Sequence, residues 1–138
     1  MQLSAAQKVT KTAAAGYSSQ GVGIEFTTQD GAKQTLAIHL SEVPHLIVEL
    51  ATLAQRSVKL SGGLRPPVPG ERVAGASPVE VVKANAVAGQ AAGVAMLVVH
   101  TGAFPLAFAI PASEVRSLAA DLERAAGGKA SPSSSDVW

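Results

Sequence analysis

Cysteine is absent from the 138 residues, which excludes disulfides, thiolate metal sites and cysteine nucleophiles together. Charge is scarce as well: Asp, Glu, Lys and Arg make up 15% of the chain, against roughly a quarter in ordinary domains. The balance of +1 gives no general pull toward nucleic acid or acidic membranes. Aromatic residues amount to 4%, few for a protein that would stack bases on rings. The longest apolar run, Val94-Ala95-Met96-Leu97-Val98-Val99, is far too short to cross a bilayer. The opening MQLSAAQKVTK has no basic region leading into an apolar stretch, so no signal peptide is expected and the default location is cytoplasmic. A chain exported without a peptide signal, or packed into a virion, would read the same way.

Alanine, glycine, serine and threonine stand where charge is missing, and the poorly solvated surface they make favours life in an assembly. The hydrophobic share of 47% is ordinary for a globular chain, and one domain of this length buries roughly two thirds of its unfolded surface.

What the sequence chiefly contains is a repeat. Residues 36–54 read LAIHLSEVPHLIVELATLA, and residues 108–126, seventy-two positions later, read FAIPASEVRSLAADLERAA. Without a gap, 9–54 and 81–126 share thirteen identities in forty-six positions, among them Ser-Glu-Val and the leucines that follow it.

Within the first copy, 7–15 reads as a strand, and the second copy has its counterpart at 79–88. Val22, Ile24 and Phe26 then alternate with Gly23, Glu25 and Thr27, the period of two that marks a half-buried strand. Asp30-Gly31 predicts a hairpin of the primed-turn kind, because glycine takes a positive φ at no cost. The returning strand puts Leu36, Ile38 and Leu40 on one face. Ser41 and Ser113 are the expected helix caps, and Pro44 falls in a first turn, where its missing N–H does little harm. Val43, Leu46, Ile47, Leu50, Leu53 and Ala54 form one apolar stripe, repeated as Val115, Leu118, Ala119, Leu122 and Ala125.

The expected fold is therefore α+β: two tandem βββα repeats with pseudo-twofold symmetry, their antiparallel strands carrying two helices packed on one side. A single domain over 1–128 would consist of repeat 1 (about 5–56), a Gly/Pro-rich connector (57–78) and repeat 2 (about 79–128). A short strand at Val58-Lys59-Leu60 and a polyproline II spacer at Arg65-Pro66-Pro67-Val68-Pro69 belong to the connector. Residues 129–138 have the composition of a flexible Ser-rich tail.

The copies differ where it counts. Outward positions of the first hairpin are Gly23, Glu25, Thr27, Thr35, Ala37 and His39, a wet face. In the second they are Ala95, Leu97, Val99, Ala107 and Ala109, with Val94, Met96, Val98, Leu106, Phe108 and Ile110 inward. A hairpin apolar on both sides needs a cover on both. Ala95, Leu97, Val99, Ala107 and Ala109 are accordingly the candidate interface, covered by the first repeat, by another chain or by a ligand.

Chemistry leaves little trace. Glu42, His45 and Glu49 share a helical face at spacings of three and four, a geometry for weak metal binding or a proton relay that reads more simply as a solvated surface. No serine sits in a nucleophile elbow, and no glycine run is long enough for a phosphate loop. No catalytic set, metal site or cofactor is implied. Lys11 and Lys83 occupy matching places in the two first strands, where they either clamp one anion or protect an edge strand from aggregation.

Strands followed by a helix, used twice, are similar in topology to the Whirly and PUR-repeat binders of single-stranded nucleic acid, though those place four strands before each helix. The resemblance implies a nucleic-acid-binding module working through the sheet and Lys11/Lys83. The expectation from the residues themselves is different: a non-catalytic assembly protein with protein partners, itself among them as a homo-oligomer, and no membrane. A small-molecule binder or enzyme with a cleft between repeats, converging on His39, His45 or His100, is the third reading.

Overall fold

A computed structural model describes residues 6–64, 66, 68 and 78–127. The chain divides into two compact units, Met1–Arg72 and Val73–Trp138, and each is a βββα arrangement. In unit 1, β1 (Val9–Tyr17), β2 (Gly21–Thr28) and β3 (Lys33–His39) form an antiparallel sheet in that order. A 3-10 turn (Leu40–Glu42) leads into α1 (Val43–Leu60). In unit 2, β4 (Lys83–Ala88), β5 (Val94–His100) and β6 (Pro105–Pro111) form the second sheet, and α2 (Ala112–Gly127) follows directly. Both units are α+β meanders closed by a helix, as the repeat predicts. The expected Ser-rich tail and most of the polyproline spacer lie outside the described residues.

Register decides which side chains share a face. In unit 1 Val22 is opposite Ile38, and Ile24 is opposite Leu36. One face therefore carries Val22, Ile24, Phe26, Leu36 and Ile38, and the other carries Gly23, Glu25, Thr27, Lys33, Thr35, Ala37 and His39. The second face is polar, as expected, and a 4.0 Å ion pair between Glu25 and Lys33 spans it. In unit 2 the pairing is displaced by one residue. Val94, the counterpart of Val22, is opposite Pro111, and Ala95 is opposite Ile110.

The hairpin loops cause the displacement. In unit 1 three residues, Gln29 to Gly31, connect the strands. The Thr28 N–H donates to the Ala32 carbonyl at 2.9 Å, and the Gly31 N–H donates to the Thr28 carbonyl at 2.9 Å. Only Gly31 has positive φ, at 87°, the mark of a type I turn followed by a left-handed residue. A primed turn at Asp30-Gly31 would need positive φ at Asp30 too, and is not formed. In unit 2 only Gly102 and Ala103 connect the strands, closed by the Thr101 N–H donating to the Phe104 carbonyl at 3.2 Å. Glycine with positive φ at the first central position matches a type II′ hairpin. The spacing between copies stays at seventy-two residues, so a loop shorter by one residue slides β6 along β5 by one. A one-residue slide moves every side chain of a strand to the other face.

Helix starts also differ from expectation. Ser41 lies inside the 3-10 turn, and its N–H donates to Nδ1 of His39 at 3.2 Å. The last imidazole of the sheet thus does the work expected of the serine. α1 begins at Val43 with Pro44 in its first turn and no side-chain cap at Glu42. It continues through Val58-Lys59-Leu60, so that stretch is helix and not a strand. Gly62 and Gly63, both at positive φ, end it. The stripes that would seat each helix on its sheet stay largely in water, with Leu50 and Leu53 each 59% exposed. β2 and β5 are half-buried throughout because they have a neighbour on each side; no described residue is fully buried.

Candidate interaction face

The face built by the displaced register is a three-by-three grid. β5 contributes Ala95, Leu97 and Val99; opposite them on β6 stand Ile110, Phe108 and Leu106, and on β4 stand Ala88, Ala86 and Ala84. None of the nine has a charge or a hydrogen-bonding side chain. Phe108 at the centre of its edge strand is 51% exposed. Complete burial of a large apolar side chain contributes about 1.5–3 kcal/mol. Leu97, Val99, Leu106, Phe108 and Ile110 therefore retain several kcal/mol of uncollected stabilisation.

The turn that sets this face is held locally. Oγ1 of Thr101 donates to the Phe104 carbonyl at 3.1 Å and accepts from the Ala103 and Phe104 amides, both at 3.3 Å. Counting out from the hydrogen-bonded pair Thr101–Phe104, Pro105 and Pro111 fall at non-hydrogen-bonded positions of an edge strand, where a missing N–H breaks no ladder bond.

The five interface candidates are divided by the register. Ala95, Leu97 and Val99 are together on the grid, whereas Ala107 and Ala109 lie on the reverse face with Val94, Met96 and Val98. The sequence assignment placed Leu106, Phe108 and Ile110 on that reverse face; they belong to the grid, because the hairpin loop is one residue shorter than in the first copy. The signal was present in Thr101-Gly102-Ala103-Phe104, whose leading glycine specifies a two-residue connection. The reverse face is mixed: Val94, Met96 and Val98 share it with Lys83, Asn85 and His100.

Lys11 and Lys83 fall on faces that are not equivalent. Lys11 is opposite Thr27 on the polar face of unit 1, while Lys83 is opposite His100 on the face of Met96 and Val98. His100 places Nε2 3.3 Å from Oδ1 of Asn85. His45 is exposed on α1. Among the described residues no three His, Asp or Glu side chains gather as metal ligands. A shallow depression of about 410 Å³ at the end of the first sheet is lined by Tyr17, Gly21, Gly23, Ala37 and His39, with no buried polar group aimed into it. Among the described residues, it is Asp30 whose acidity is altered by its surroundings. The Thr28 hydroxyl and then the Ala32 amide hydrogen-bond its carboxylate and hold its pKa below the usual aspartate value. No described helix is long and apolar enough to cross a membrane. No protein-family model, curated protein or solved structure matches the chain.

Proposed function

We propose that this protein is a non-catalytic, cytoplasmic accessory protein that works by binding protein surfaces, its own included. The observation that supports this reading is the wholly apolar grid on one face of the second sheet, with Phe108 half in water. Antiparallel sheets with one face in water alternate apolar and polar residues, and β5 does not. Low overall charge points the same way.

Light scattering on the purified chain across a range of concentrations tests the reading, with Leu97→Glu alongside. The expected result is a species of at least twice the chain mass that falls to a folded monomer in the variant, since a buried unpaired carboxylate is costly. A wild-type chain monomeric at every concentration rules out self-association.

A further inference from the structure

Columns of the grid on unit 2 are graded in size. The β4 column is alanine throughout (Ala84, Ala86, Ala88), the β5 column is mixed, and the β6 column is Leu106, Phe108 and Ile110. A flat partner laid on such a surface would touch the β6 side and leave a gap above β4. A second copy of the same face, turned about a twofold axis parallel to the strands, fits it instead. That rotation sets β5 on β5 and puts each β4 column over the other copy's β6 column. Ala84 then meets Leu106, Ala86 meets Phe108 and Ala88 meets Ile110, while Leu97 meets Leu97 on the axis. A twofold axis across the strands would oppose alanine to alanine on one side and Phe108 to Phe108 on the other, which makes a wedge.

We infer that the occupant of this face is the same face of a second copy, packed sheet on sheet about a twofold axis along β5. The inference rests on the self-association reading and adds the surface, the partner and the axis. Aligned sheets pack about 10 Å apart with interdigitating side chains, and an interface of this symmetry needs a patch complementary to itself. Three strands about 4.8 Å apart, six or seven residues long at about 3.3 Å each, give a footprint of roughly 300 Å². That is less than half of the ~800 Å² per partner of a standard interface. The pair is therefore reversible, with dissociation in the micromolar range or weaker.

The test exchanges sizes between columns. Ala86→Phe alone sets the new ring against Phe108 at both contacts, and Phe108→Ala alone sets alanine against Ala86, so each variant associates at least tenfold more weakly than wild type. Mixed one to one, the two variants form a heterodimer. One of its contacts sets the introduced ring against the introduced alanine, the other keeps Ala86 against Phe108, and dimer mass returns. Circular dichroism confirms that each variant is folded. If wild type dimerises but either variant associates as wild type does, or tighter, or if the mixture recovers nothing, the face or its axis is wrong while self-association stands. A monomeric wild type overturns both.

A second measurement does not depend on variants in the core of the face. Ala103→Cys puts the chain's only thiol at an exposed hairpin tip. An axis along β5 brings the two tips to the same end, about 10 Å apart, where a short bis-maleimide links them into a covalent dimer. An axis across the strands separates them by roughly 35 Å and gives none.

Discussion

Asp30 sits fully in water at the tip of the first hairpin, and its carboxylate accepts from the Thr28 hydroxyl and the Ala32 amide. Both donors favour the charged form, the hydroxyl more strongly. Because the folded pKa lies below the unfolded one, the contribution to stability is complete above the unfolded value and disappears as pH falls through the folded value. The melting temperature of the wild-type chain should therefore drop below about pH 4 more steeply than that of Asp30→Asn. Parallel acid limbs in the two proteins would mean that the turn does not feel the charge. Asp30-Gly31 marked a turn in the sequence, but the donors to this carboxylate follow from the turn type, which the sequence alone predicts as a primed one.

At the scale of elements, most of the fold was legible and one quantity was not. Alternation at Val22, Ile24 and Phe26 gave the strands, and the recurring Ser-Glu-Val with its leucines gave the helices. A gap-free alignment carries no information about pairing, however: Gln29 is loop in one unit, while its counterpart Thr101 belongs to a closing pair in the other. Replacing Thr101-Gly102-Ala103 by Gln-Asp-Gly should install the longer connection and slide β6 by one residue. In nuclear magnetic resonance spectra, backbone proton contacts between Leu97 and Phe108 would then give way to contacts between Met96 and Phe108. Unchanged contacts would show that side-chain packing, and not the loop, fixes the register. The helix start was not legible in the sequence for a similar reason: the acceptor for the Ser41 amide is the imidazole of His39, the last residue of the preceding strand, whereas serine is the commoner cap.

Taken as a whole, the described chain has half-buried central strands and no residue removed from water completely. A domain draws most of its stability from covered apolar surface, so a chain with these faces gains from association. Folding linked to pairing makes the unfolding midpoint depend on concentration. A tenfold increase in protein should add roughly 1.4 kcal/mol to the apparent stability of the pair and raise its midpoint by a few degrees. Leu97→Glu should melt at one temperature regardless of concentration. A wild-type midpoint indifferent to concentration would mean that no pairing accompanies folding.

If the proposed pairing holds, the ion pair between Glu25 and Lys33 sets a limit on how far assembly can go. A protein with two equivalent adhesive sheets has a valence of two, and successive copies add to both ends without closing. In this chain the position that carries Leu97 in one unit carries Glu25 in the other, and Val99 is matched by Thr27. Valence is thereby reduced to one for this mode of contact. Under the proposed pairing, the diverged tandem ends in a pair where an undiverged one would seed a fibre.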